Sequence, residues 1–182
     1  MKRDWNTIEV LRHARHDWLN QIQLIKGNIS LNNIARVNEI IDEIVAESKH
    51  QSKLSNMNLP QFASLLLTCN WENHLFQLEF ECVEQNHLCA DDHRLANWTN
   101  VFFEVLDESI KKFHDNYLSI TIEPQAKGIG FFFDFSGIII SKDHMEDFLK
   151  SQLSLEIGVK VQQFSECELT LEFFLPNNET KE

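Results

Sequence analysis

Residues 16–28 read HDWLNQIQLIKGN, and their spacing decides how the first third of the chain folds. At the helical angle of about 100° per residue, Trp18, Leu19, Ile22, Ile25, Lys26 and Ile29 share one side. Upstream, Ile8, Leu11 and Arg15 extend that side. A second series, Ile34, Val37, Ile41, Ile44 and Ser48, steps by three and four like a coiled-coil seam, with Ile40 and Val45 flanking it. Between residues 1 and 59 there is no proline and a single glycine, Gly27. The stretch GNISLNN (27–33) therefore reads as a turn, with Asn or Ser available to cap the second helix.

Two helices of roughly 20–25 residues joined by a short turn make an antiparallel hairpin. Two helices alone enclose no core. Pairing hairpins from two chains into a four-helix bundle solves that, so a homodimer is expected.

Beyond Pro60 the periodicity changes. Residues 76–84 (FQLEFECVE), 118–123 and 168–175 alternate like half-buried strands, and 130–135 is a near-continuous aromatic run of interior-strand type. Helical patterns cover about 60–70, 91–114 and 142–150. The fold class is α+β, with a sheet covered by helices on one face. SKLSNMNLP (52–60) reads as the junction, giving a hairpin domain over 1–56 and an α/β domain over 57–182.

Charge and composition narrow the partners. Residues 1–56 carry 8 Lys/Arg against 7 Asp/Glu, giving +1, whereas 57–182 carry 8 against 21, giving −13 of the net −12. Nucleic-acid binding needs clustered cations and is not expected. An acidic partner meets least repulsion at the first third. No apolar run reaches the roughly 18–20 residues needed to span a bilayer, and the charged N-terminus lacks the apolar centre of a signal peptide. A cytoplasmic protein without membrane contact is expected. The cysteines Cys69, Cys82, Cys89 and Cys167 sit among apolar neighbours and read as core thiols.

His16 lies roughly 100–120° from the apolar stripe, with His13, Asn20 and Gln23 on the same side. Imidazoles titrate near pH 6.5 in general, so a neutral ring can present a nucleophilic nitrogen at neutral pH. Arg12 and Asn20, four residues either side, are its neighbours on the helix surface, while Arg15 and Asp17 flank it in sequence. The two arginines can neutralise a transferring phosphoryl group, and Asn20 can donate a hydrogen bond to it. Most surface histidines do no chemistry. His13 has neither an acid beside it nor an asparagine four residues on; His16 has both.

The pattern H-D-x-x-N followed by an apolar helix resembles the phosphoacceptor box of bacterial two-component histidine kinases. The longer RHDWLNQIQLIKGNISL (15–31) and KHQSKLSN (49–56) resemble the sporulation initiation phosphotransferase B family of endospore-forming bacteria. That resemblance is strongest over about 10–56 and continues more weakly beyond. It implies a dimeric four-helix bundle whose phosphohistidine aligns with His16. It further implies transfer from the aspartyl-phosphate of a single-domain response regulator to the receiver domain of a transcription factor controlling sporulation. Arg12, Arg15, Asp17 and Asn20 would support or dock the partner. No cofactor is expected on this chain; Mg²⁺ is expected on the receiver.

Two other functions compete: an ATP-dependent histidine kinase fragment and a non-catalytic dimeric adaptor for response regulators. A kinase needs an asparagine-bearing N-box and glycine-rich loops that let backbone approach nucleotide. FEVLDESIKKF (103–113) resembles an N-box helix in outline, but Glu108 stands where the Mg²⁺-binding asparagine would be. FDFSG (133–137) echoes a first glycine box only in Asp134 and Gly137, and Gly128-x-Gly130 reads as a turn. With five glycines in all, the second domain resembles a kinase ATP-binding domain without its nucleotide site. Against the adaptor stands the combination of His16, Asp17 and Asn20, which docking alone does not require. A string of Cys82, His87, Cys89 and His93 lacks the spacing of a common zinc class, so no metal site is expected.

Overall fold

The computed structural model describes residues 5–83, 91–125, 128–152 and 158–176. The chain divides into two compact units between Lys49 and His50.

In the first unit, helix α1 (Thr7–Ser30) starts at a capping box. Asn6 Oδ1 accepts from the amides of Ile8 and Glu9, and the Glu9 carboxylate accepts back from Asn6. The helix runs through Gly27, and the turn is only Leu31–Asn33, shorter than the GNISLNN stretch expected. Asn32 supplies the left-handed residue (φ 56°), a conformation asparagine tolerates. The Asn33 side chain then caps α2 (Ile34–Ser55) by accepting from the Arg36 amide at 3.3 Å. Gly27 thus occupies helix interior at a cost of about 1 kcal/mol relative to alanine.

Val37 and Ile40 of α2 are buried, yet α1 has no buried residue among those described. Ile8, Leu11, Trp18, Leu19, Ile22 and Ile29, the stripe read from sequence, each remain over half exposed. The acidic run 39–47 is anchored on its solvated face by Arg36, whose guanidinium reaches Glu39 at 2.9 Å and Glu43 at 3.0 Å.

The second unit is a five-stranded sheet in the order β1-β2-β3-β5-β4, formed by β1 (Gln77–Cys82), β2 (Tyr117–Gln125), β3 (Gly128–Ser136), β4 (Gly158–Phe164) and β5 (Glu168–Pro176). β1 is parallel to β2; the other neighbours are antiparallel. One face is dry: Leu118, Ile120 and Ile122, then Phe131, Phe133 and Phe135, then Leu169, Leu171 and Phe173 are buried. The aromatic run therefore alternates, with Asp134 exposed between Phe133 and Phe135. The helices α3 (Pro60–Cys69), α4 (Asp92–Ser109) and α5 (Lys142–Gln152) supply the remainder of this core. Trp98 of α4 stacks on Phe102 at 5.5 Å between ring centroids and meets Phe133 at 5.4 Å and Phe173 at 4.9 Å.

Leu54, Met57 and Leu59, in the junction stretch 52–60, are all buried within the second unit. Two sequence expectations change here, and one strand is added. The helix expected to reach 114 stops at Ser109, because Ile110 turns extended and bridges Ile139. Gly128 and Gly130 lie inside β3; a Cβ on Gly128 would strike the Leu175 carbonyl of β5. Edge strand β4 was not anticipated, since Val159 alone is buried along it and its register shifts between Val161 and Gln163.

The opposite edge is closed by side chains. Asn70 pairs with both the N–H and the C=O of Leu78, at 2.9 and 2.8 Å. His50 Nδ1 accepts from the Cys82 amide at 3.1 Å, and Lys53 Nζ donates to the Cys82 and Val83 carbonyls. Burial pushes the Cys82 thiol up to about 11 despite the opposing Lys53 charge. The Cys69 thiol is raised too, by burial first and then by Glu72 and Asp107. Cys167 differs from the expected core thiol: it is exposed. Cys89 lies outside the described residues.

Candidate functional site

His16 sits near the middle of α1, and its side chain is 73% exposed. Both of its polar contacts fall on Nδ1: the Asn20 side chain at 3.2 Å and Asp17 Oδ1 at 3.5 Å. Helix periodicity brings Asn20 over the ring from one turn on, and Asp17 reaches it from the adjacent position. The proton decides which contact operates. With hydrogen on Nδ1, Asp17 accepts it and Nε2 keeps its lone pair; with hydrogen on Nε2, the Asn20 amide donates to Nδ1. The first tautomer is the nucleophilic one, and an acid beside the ring favours it.

Arg12 and Arg15 are exposed on the same helix. By helical angle Arg12 lies within about 40° of His16, while Arg15 lies about 100° round, inside the apolar stripe. The four supporting residues are thus split: Asp17 and Asn20 touch the ring, Arg12 shares its side, and Arg15 faces elsewhere. His13 is separated from His16 by its surroundings, since its ring meets Trp5 edge-on at 5.0 Å.

In the second unit, Glu108 pairs with His144 at 3.0 Å, and Asp134 accepts from Thr170 at 3.2 Å. A cavity of about 400 Å³ lies over the loops before β1 and β2, lined by residues that include His74, Phe76, Phe113 and Tyr117. Sequence patterning gave no sign of it, because its walls come from segments some 40 residues apart. Its polar groups hold the loops together: Asp107 meets His74 Nδ1 at 2.6 Å and accepts the Leu75 amide at 2.7 Å. Asn116 donates to the carbonyls of Leu75 and Lys111.

Of the Cys82, His87, Cys89 and His93 string, His87 and Cys89 lie outside the described residues. His93 contacts Gln61 at 3.2 Å, and no group of three or more metal-binding side chains occurs among the described residues. Among them, too, no helix is long and apolar enough to cross a membrane.

A hairpin carrying an exposed, acid-flanked histidine, followed by a helix-covered mixed sheet, belongs to the phosphotransferases of two-component phosphorelays. Residues 2–57 match the model of the sensor kinase SpoOB-type alpha-helical domain, and residues 58–176 match that of sporulation initiation phospho-transferase B, C-terminal. The chain belongs to the sporulation initiation phosphotransferase B family. It is similar to sporulation initiation phosphotransferase B of Bacillus subtilis (strain 168), at 37% identity over 143 residues, covering 77% of this chain and 74% of that one. Among solved structures, the histidine kinase AdeS of Acinetobacter baumannii is similar at TM-score 0.49 and 9% identity, covering 90% of this chain and 98% of the other. The catalytic domain of histidine kinase ThkA is similar at TM-score 0.48 and 15% identity, covering 67% of this chain and 92% of the other.

Proposed function

We propose that His16 is the phosphoryl carrier. It takes the group from the aspartyl-phosphate of a single-domain response regulator and passes it to the receiver domain of a transcription factor controlling sporulation. The observation that carries this is the placement of both His16 contacts on Nδ1, which leaves Nε2 without a protein contact among the described residues. In the loading step the Nε2 lone pair forms the N–P bond as the P–O bond to the aspartate breaks. The carboxylate leaves with that electron pair, and Nδ1 keeps its proton, directed at Asp17. The imidazolium charge so created is stabilised by Asp17. In the unloading step a carboxylate oxygen of the second receiver attacks phosphorus, and the N–P electrons return to Nε2.

Arg12 adds positive charge beside the travelling group, and Asn20 can turn its amide toward a phosphoryl oxygen. Arg15 docks the receiver or the second chain. The Mg²⁺ that balances phosphoryl charge belongs to the receiver, and this chain uses neither a metal of its own nor ATP. The working form is a homodimer, because the α1 stripe is too apolar to remain in water on a separate hairpin. Mixing the protein with a phosphorylated receiver tests the chemistry. Acid-labile label on the chain is the expected result, and tight binding without label would favour a non-catalytic adaptor.

A further inference from the structure

Phe113 stands at odds with the habits of its side chain. Its φ is 57°, in the left-handed region that bulky residues avoid, and its ring is fully exposed. A loose loop would relax such strain, but this loop is pinned. Asn116, itself buried, donates to the carbonyls of Leu75 and Lys111 and accepts from the Ile138 amide at 3.1 Å. The segment 111–116 thus holds the Phe113 ring in water, and strain kept in place by a pinned loop points to a use for that ring.

Phe113 lines the cavity of about 400 Å³ over the loops before β1 and β2. Small-molecule sites in general span about 300–1,000 Å³. Three further lining residues carry rings: His74, Phe76 and the half-exposed Tyr117. His74 stacks on Phe76 at 5.0 Å, and both meet Phe103 edge-on at 5.6 and 5.3 Å, so that wall is rigid. The faces of phenyl and phenol rings are electron-rich and attract cations. The charges agree with the rings. Asp115 lines the cavity, and the carboxylates of Asp107 and Glu72 flank His74 at 2.6 and 3.8 Å. Among the described residues no lysine or arginine lines it, although Lys111 and Lys112 share the loop.

We infer that this cavity is a binding site for a small organic cation of the alkylammonium class. The charged head sits against the rings of Phe113 and Tyr117, and Asp115 balances its charge. The −13 carried by residues 57–182 favours a cation there over an anion or a phosphate. A free molecule is favoured over a lysine inserted by a partner, because one such side chain leaves most of the cavity empty.

Tyr117 is the single tyrosine of the chain, so full-length protein labelled with 3-fluorotyrosine carries one fluorine signal, located at the site. Choline and its uncharged isostere 3,3-dimethyl-1-butanol serve as probes. Choline should shift the signal saturably in the millimolar range, and the alcohol should bind roughly threefold or more weakly. Phe113→Leu keeps an apolar side chain but removes the ring face, and should weaken choline roughly threefold or more. Phe113→Gly should melt at or above the parent temperature, since glycine adopts positive φ without strain. No saturable shift with choline overturns the site, and equal binding of choline and the alcohol overturns its charge preference. Unchanged choline affinity in Phe113→Leu, or a lower melting temperature in Phe113→Gly, overturns the role of Phe113, whose ring would then serve the fold. Nα-acetyl-lysine amide runs as a third probe, and tighter binding than choline overturns the free molecule in favour of a partner's side chain.

Discussion

At the scale of the residue, the decisive feature is the side of the His16 ring that the protein engages. Asp17 and Asn20 both address Nδ1: the Asp17 carboxylate, as acceptor, holds a hydrogen there and leaves Nε2 nucleophilic, whereas the Asn20 amide, as donor, goes with the opposite tautomer. Replacing Asp17 with Ala should leave the fold intact and lower the saturated transfer rate by roughly 10–100-fold, with a changed pH profile as the imidazole loses its acceptor. Rapid-quench transfer assays across pH check this; a parental rate and profile would remove Asp17 from the chemistry. The nearness of Asn20 to His16 was legible in sequence because i+4 neighbours follow from helix geometry; the Asp17 contact was not, since adjacent helix positions point about 100° apart. Nor was the role of His13, since its contact with Trp5 depends on how the chain enters α1.

At the scale of the element, α1 has two claims on its surface: an apolar stripe and a histidine face. Ile22 lies in the middle of the stripe and is half exposed in the single chain. Ile22→Glu should convert the protein to monomer at micromolar concentration, because burying an unpaired carboxylate costs several kcal/mol. Light scattering reads the outcome, and a persistent dimer would place the interface elsewhere. Hairpin, sheet and most strands could be read from periodicity, which reports faces. Edge strand β4 could not, since a strand covered on little of either face has weak alternation. Within the junction stretch 52–60, polar letters surround Leu54, Met57 and Leu59, so their part in the core of the second unit could not be read from pattern.

At the scale of the whole molecule, the second unit is held by a dry aromatic face and two buried thiols. Cys82 is raised from 9.0 to about 11 by burial, and Cys69 moves the same way. Above pH 9 the unfolded thiol ionises while the folded one keeps its proton, so the native state binds more protons than the unfolded one. Stability is therefore fully present below about pH 9 and falls as pH rises toward 11, by up to about 1.4 kcal/mol per pH unit for each thiol. Urea titrations of the parent and Cys82→Ser across that range check the slope; the variant should lose part of it, and equal slopes would contradict the assignment.

In sequence, residues 103–113 of the same unit resemble an N-box helix with Glu108 in place of the expected asparagine, and in the structure Glu108 pairs with His144. Labelled ATP with Mg²⁺ but no receiver should therefore leave the chain unlabelled, and label on His16 would make it a kinase. The most direct measurement supplies phosphorylated single-domain receiver instead, quenches the reaction, and maps the acid-labile phosphate on this chain. The predicted result is a phosphoryl group on Nε2 of His16 that a second receiver removes; label on another residue, or none at all, would contradict the carrier role.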